Sequence, residues 1–340
     1  MSGKKSFSNV SNVHGNQSTA QERMFVFLRM DRDMMTSLTT LTYTVAFFSL
    51  VSNALVIYFK KTERGPRVQR ALDRSHTCYF IQSLAWSDLL ASFITAPLFN
   101  SIVMIDLFSN NLQCLIARTT TFFLPVITVF NLLVIAIERY LGIFYPLYLP
   151  SRKAVRWSII LAWVIGFLVA FIPGVTYTLL RADIGDKYYT HFCVYNKTIS
   201  YHKYLFWIFS LCSYILPSIV FFVITYRISR FLSKRARGAN GVSTTNKSDA
   251  WRFKSSRMFL SVIMFFIVPY LSWYLYTLTM TTFKPNIDSQ IDVVLRYMFT
   301  QVILANGIVN PILYFYHTRE FRVRLKKMLT FIKDRVAPST

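Results

Sequence analysis

Seven stretches of this chain are too long and too continuously apolar for the interior of a water-soluble domain. They run over about 37–59, 79–103, 111–137, 157–179, 204–226, 258–280 and 293–316, with polar connectors between them. A helix needs about 20 apolar residues to cross the hydrocarbon core of a bilayer. Inside that core every backbone polar group must be bonded within its own segment or within a closed barrel. The stretches are too long for barrel strands, so the expected fold is all-α and membrane-integral, a seven-transmembrane helix bundle. Charged residues make up only 16% of the chain, against about 25% in soluble domains. The expected organisation is a tail over 1–36, the bundle over 37–316, a short amphipathic membrane-surface helix over 317–329 and a second tail over 330–340.

The net charge of +23 would suggest nucleic-acid binding in a soluble protein. Here the Lys and Arg lie mostly between the apolar stretches, and 26 of the 38 fall in the connectors 60–77, 138–156 and 226–257 and in the segment 315–340. Basic loops stay in the cytosol. The sequence therefore predicts an extracellular N-terminus and a cytosolic C-terminus, and no nucleic-acid partner. Residues 1–23 are polar and lack a signal-peptide core, so the first helix is expected to act as its own insertion signal.

Other features fit that orientation. Asn9, Asn16 and Asn196 each begin an N-x-S/T sequon on the outer side, while the sequon at Asn246 falls inside. Of the four cysteines only Cys114 and Cys193 lie outside, where an oxidising compartment lets them pair. Cys78 and Cys212 read as small packed hydrophobes.

Polar groups at bilayer depth are costly and tend to be functional. Asn53, Asp88, Asn131, Asn306 and Asn310 all lie within apolar stretches. A carboxylate such as Asp88 must join a hydrogen-bond network, hold a cation or take up a proton. Pro217, Pro269 and Pro311 interrupt the last three stretches. Each removes a helix hydrogen bond, and a bent helix can swing its end in a two-state switch. After the last stretch, Phe321, Leu325 and Met328 share one face of a basic helix suited to anionic lipid. Membrane lipid is thus an expected partner. No cysteine follows that helix to carry a lipid anchor.

The order of motifs resembles one family. Ser52-Asn53-Ala54-Leu55-Val56-Ile57, Leu84-Ala85-Trp86-Ser87-Asp88-Leu89-Leu90, Glu138-Arg139-Tyr140 followed by Pro146-Leu147, Trp163, and Asn310-Pro311-Ile312-Leu313-Tyr314 occur in sequence. Together they resemble the rhodopsin-like family of G-protein-coupled receptors over about 40–328. The resemblance implies a receptor that binds an extracellular ligand and activates a heterotrimeric G protein. It implies that Arg139 is held at rest by Glu138 and by Asp249, and that Tyr314 turns toward Arg139 on activation. It places Pro146 and Leu147 at the G-protein contact. It also makes Asp88, Thr128, Asn306 and Asn310 a sodium pocket, with sodium as an allosteric ion and no other cofactor.

The chain departs from the family's pattern in places. Ile267 stands for the usual tryptophan of the sixth helix, Thr225 for the usual tyrosine of the fifth, and the first inner loop is longer and basic. Thr121 replaces the aspartate of amine receptors and Leu304 the lysine of opsins, so the expected ligand is neither an amine nor retinal. Candidate ligand residues are Arg118, Thr121, Phe122, Tyr270, Trp273, Tyr274 and Arg296. The two arginines suit a carboxylate or phosphate on a small molecule, lipid or peptide. Their alternatives are snorkelling or pairing with Asp106 or Asp292. No nucleophile, base and orienting group occur together as in an enzyme. A transporter, a channel or a receptor-fold protein without signalling remains the alternative, though no inverted repeat supports transport.

Overall fold

The computed structural model describes residues 24–25, 31–61, 77–105, 107–145, 147, 150–184, 186–196, 198–238, 247–283, 289–317 and 319–336. The tail sequons Asn9 and Asn16, together with Pro146, lie outside them. Helix α1 spans Arg32–Lys61. Helix α2 has two parts, Thr77–Leu90 and Ala96–Met104, joined by a π turn at Ala91–Thr95. Helix α3 spans Asn111–Phe144 and α4 spans Arg152–Thr176. Helix α5 is Ser200–Ser210 and Leu216–Gly238 around a π turn at Leu211–Ile215. Helices α6, Lys247–Thr282, and α7, Ser289–His317, complete the bundle, and α8, Arg319–Val336, follows. Six of these, α1 and α3 to α7, are long and apolar enough to cross a membrane. Helix α2 packs against α1 and α3 among them.

The termini and breaks have local causes. Asn110 caps α3 by accepting the Gln113 N–H at 2.9 Å, and Ser151 caps α4 by accepting the Ala154 N–H at 3.2 Å. Pro97 and Pro217 lack the N–H that would reach back four residues, to Phe93 and Ser213. Both of those residues lie inside the π turns, so the missing bond is absorbed there by a wider turn. Small residues let helices approach closely. A Cβ on Gly307 of α7 would stand 2.2 Å from Ser49 Oγ of α1, and one on Gly166 of α4 would stand 2.8 Å from Ile127 Cγ1 of α3.

Two expectations need correction. The fourth apolar stretch, expected as helix over 157–179, changes to strand before it ends. Helix α4 stops at Thr176, and a hairpin of β2, Tyr177–Ile184, and β3, Tyr188–Tyr195, covers the outer end. Aromatic and β-branched residues dominate β3, and that composition favours strand. A two-residue strand β1, Met24–Phe25, lies parallel on the other edge of β3, giving the order β1-β3-β2. The membrane-surface helix runs on to Val336 rather than ending at residue 329. No Gly or Pro intervenes before Pro338, and Ile332 and Val336 extend the apolar spacing begun by Phe321, Leu325 and Met328.

Candidate functional site

The C-terminal end of α3 carries a buried ion pair. Arg139 Nε donates to Glu138 Oε2, and both side chains are almost fully enclosed. The guanidinium also lies 5.4 Å from the ring centroid of Phe259 on α6. A cation over an aromatic face gains further attraction, so α6 shares in holding Arg139. Phe259 in turn packs edge-on against Phe80 of α2 at 6.4 Å. Asp249 falls in the first turn of α6, but its side chain lies outside the described residues. Tyr140 accepts a hydrogen bond from Arg227 Nη1 of α5 at 2.9 Å. Leu147 is 93% exposed. Tyr314 is fully buried, and its hydroxyl has no partner among the described residues.

The middle of the bundle holds the polar residues expected there. Asp88 is 7% exposed, and Asn310 Nδ2 donates to its Oδ2 at 2.8 Å. Asn53 Nδ2 donates to the carbonyls of Gly307 at 2.7 Å and Ser49 at 2.9 Å, tying α1 to α7. Ser92 Oγ donates to the Asp88 carbonyl at 2.8 Å and lies 2.7 Å from Ser49 Oγ. Trp163 Nε1 donates to Ser83 Oγ at 3.1 Å, and Ser83 donates to Asn131 Oδ1 at 2.8 Å, joining α4, α2 and α3. Of the residues grouped with Asp88 from the sequence, one bonds its carboxylate. Asn310 reaches the Asp88 carboxylate. Thr128 Oγ1 instead bonds Ser87 Oγ and the Leu124 carbonyl, each at 3.2 Å. Asn306 is buried, and its Nδ2 has no partner among the described residues. Among the described residues no cluster of His, Cys, Asp and Glu could hold a transition metal.

The end of the bundle beneath the hairpin is walled by aromatic rings. Phe122 of α3 lies 5.5 Å from Phe209, 6.0 Å from Trp273 and 6.4 Å from Tyr177. Tyr214 of α5 continues the wall, 5.7 Å from Trp273 and 5.3 Å from Tyr274. Tyr270 stacks on Phe266 at 3.9 Å. Offset and edge-on ring pairs of this kind fix geometry as well as bury area. The sequence had singled out Phe122, Tyr270, Trp273 and Tyr274. It gave no sign of Tyr177, Phe209 or Tyr214, which join them only through the folding of the hairpin and of α5.

The two outer arginines part company. Arg296 Nε donates to Asp292 Oδ1 at 2.9 Å, and Tyr276 Oη donates to the same oxygen at 2.7 Å. Arg296 is therefore paired within its own helix rather than left to a ligand. Arg118 is different. Its Nη2 donates to the Cys193 carbonyl at 3.0 Å, and its guanidinium lies 4.7 Å from the Tyr177 ring centroid. Its Nε is sealed from solvent and has no partner, and no carboxylate pairs with it among the described residues. Thr121 points its hydroxyl at the Ala117 carbonyl of its own helix, at 2.7 Å, so it offers that proton to no ligand.

The Cys114–Cys193 disulfide pins β3 to the start of α3, as expected from the cysteine positions. Asn196 is only 8% exposed, its Oδ1 accepting from the Thr198 N–H at 3.0 Å and lying 2.6 Å from Thr198 Oγ1. Its own N–H donates to the Thr176 carbonyl at 3.0 Å.

These features define a multi-pass membrane receptor of seven helices with an eighth along the surface. Residues 52–314 match the model of the 7 transmembrane receptor (rhodopsin family), and the chain belongs to that family. It is 24% identical to the adenosine receptor A3 of Bos taurus over 296 residues, covering 84% of this chain and 89% of that one. It is 24% identical to the histamine H2 receptor of Homo sapiens over 261 residues, 75% and 70% of the two chains. It is also 24% identical to the tachykinin-like peptides receptor 86C of Drosophila melanogaster, over 83% of this chain and 56% of that one. The family is one of receptors rather than enzymes.

Proposed function

We propose that this receptor binds an anionic, partly aromatic or apolar ligand at its outer face and answers by driving nucleotide exchange on a heterotrimeric G protein inside the cell. The observation that carries the reading is the buried Glu138–Arg139 pair, held from α6 by Phe259, at the end of the bundle opposite the aromatic wall. Binding outside that favours an outward α6 weakens this hold, and by linkage an engaged G protein strengthens ligand binding. Arg118 supports an anionic group, because a sealed cation without a carboxylate partner gains most from one. The surrounding rings supply the apolar wall. The basic inner connectors and the disulfide at the opposite end support an extracellular N-terminus.

Asp88 is proposed to hold a sodium ion with Thr128, Asn306 and Asn310, the ion offsetting the buried carboxylate. Helix α8 is proposed to rest on the inner leaflet, its basic residues toward anionic lipid.

The test is nucleotide exchange in membranes carrying the receptor, with a panel of G proteins and with anionic metabolites, lipids and peptides as probes. Exchange that rises with an anionic probe and fades in Arg118→Gln, at equal surface density, is the expected result. Ion flux without any exchange would overturn the proposal.

A further inference from the structure

Helices α2 and α4 are tied twice, and a groove runs between the ties. Near the start of α4, Arg156 Nη2 donates to Tyr79 Oη of α2 at 2.7 Å, with the guanidinium 4.9 Å from the Tyr79 ring centroid. Further along, Trp163 Nε1 donates to Ser83 Oγ at 3.1 Å. The groove holds about 460 Å³, and Gln82, Trp86 and Ile160, all exposed, line it beside these residues. Residues 79, 82 and 86 of α2 fall three and four apart, and residues 156, 160 and 163 of α4 fall four and three apart. Each helix therefore turns one stripe into the groove. Both stripes belong to apolar stretches, so the groove opens onto lipid.

The polar groups of the groove offer more donors than the protein accepts. A guanidinium carries five N–H donors, and Arg156 gives one to Tyr79. Tyr79 accepts that bond and keeps its own O–H to donate. The Gln82 amide, one turn deeper, makes no hydrogen bond among the described residues. An amide facing hydrocarbon without a partner is costly. Arg152 and Lys153 stand four and three residues before Arg156, on its side of the helix, and both are exposed. Among the described residues no carboxylate pairs with any of these three cations. What fits here brings acceptors, a negative charge and an apolar tail together.

We propose that this groove binds an anionic glycerophospholipid. Its phosphate accepts from Arg156 and Tyr79, with Arg152 and Lys153 toward the rest of the head group. An ester carbonyl accepts from Gln82 Nε2. The helix rises about 4.5 Å over the three residues from Tyr79 to Gln82, and the glycerol unit spaces phosphate and ester over a similar length. One acyl chain lies along Trp86 and Ile160 toward Trp163. A sterol brings a single hydroxyl and no charge, and it cannot meet both the Gln82 amide and the cations. The proposal borrows from the reading above only the orientation, which sets the start of α4 at the inner leaflet, where anionic lipids collect.

The probe is phosphatidylserine with brominated acyl chains, compared with phosphatidylcholine carrying the same chains, each added to the purified full-length receptor in detergent micelles. Bromine quenches a tryptophan that it approaches. Helix α8 has no tryptophan, so lipid bound there is silent. Phosphatidylserine should quench at the lower mole fraction, and the difference should shrink in Trp86→Phe. Arg156→Gln should cut the preference at least roughly fivefold, the worth of one basic residue facing an anionic head, and Arg156→Lys should keep most of it. Gln82→Leu should weaken both lipids alike, because both carry the ester. Gln82 and Arg156 are exposed, so these substitutions spare the core. Equal quenching by the two lipids overturns the proposal, as does a preference that survives Arg156→Gln or a difference undiminished in Trp86→Phe. Displacement of the brominated lipid by an equal amount of cholesterol gives the groove to a sterol and overturns it too. Micelles have no leaflets, so none of these outcomes depends on orientation. In liposomes with brominated phosphatidylserine in one leaflet, quenching from the leaflet on the N-terminal side overturns the orientation and leaves the groove standing.

Discussion

Substituting Glu138 by glutamine should raise the receptor's ligand-independent activity. Arg139 Nε donates to Glu138 Oε2 in a buried pair, and a hydrogen bond with a charged partner contributes about 1.5–3 kcal/mol. Glutamine keeps the shape and an acceptor oxygen but loses the charge. The hold from Phe259, 5.4 Å from the guanidinium, remains and is worth about 0.5–2 kcal/mol. The loss should therefore sit near the lower bound, about 1.5 kcal/mol, which is roughly a tenfold rise in the ratio of active to resting receptor. A resting population that is only about 1% active would become about 10% active, a change well within reach of the assay. The measurement is basal nucleotide exchange in membranes at matched receptor surface density, across the G-protein panel. Phe259→Ala should raise basal exchange by itself, by a smaller factor, and the double variant should exceed either. Arg139→Ala should abolish exchange, which separates release of a latch from general loosening. Basal exchange unchanged in both Glu138→Gln and Phe259→Ala, at normal surface density, refutes the account of Arg139 as held by these two groups.

Gly307→Ala should cost about 1–3 kcal/mol of stability through overpacking, because its Cβ would stand 2.2 Å from Ser49 Oγ. Thermal unfolding of the purified receptor should show a smaller cost in a Ser49→Ala background, and strictly additive losses would contradict the contact. Arg118→Gln should lower agonist potency roughly ten- to a hundredfold, while Arg296→Gln should act weakly because Asp292 already holds that side chain. Equal effects of the two would refute their separation. Sodium should raise the thermal midpoint of wild type and lower agonist affinity, and Asp88→Asn should remove both responses. A sodium effect that survives in Asp88→Asn places the ion elsewhere.

The inner half of this molecule was legible because its chemistry is local in sequence. Glu138 and Arg139 are neighbours, and their pairing needs only a helix end. Asp88 and Asn310 are far apart, but each announces itself as a polar group in a stretch that lipid would otherwise exclude, and the fold joins them at 2.8 Å. Gly307 and Ser49 gave less notice, since small residues are unremarkable in sequence until two helices close on them. Thr128 was grouped with Asp88 from the sequence, but its hydroxyl bonds Ser87 Oγ and the Leu124 carbonyl.

The outer half was hard to read for a physical reason. In a chain with 31 Phe and 20 Tyr, a ring carries no information by being present, and lipid-facing and pocket-facing rings look alike until the helices are placed. Tyr214 is buried in the aromatic wall while Phe222, two turns along the same helix, is exposed. Charge discriminates better. Arg296 has an aspartate four residues earlier, so its pairing could be weighed from sequence, and the structure forms that pair. Arg118 has no such neighbour within a helical turn on either side. Its one protein acceptor is the Cys193 carbonyl, 75 residues away, delivered by a disulfide and by a β ladder that sequence periodicity did not reveal. The residue that says most about the ligand is thus the one whose surroundings are least local, and the Cys114–Cys193 bond is what makes those surroundings reproducible.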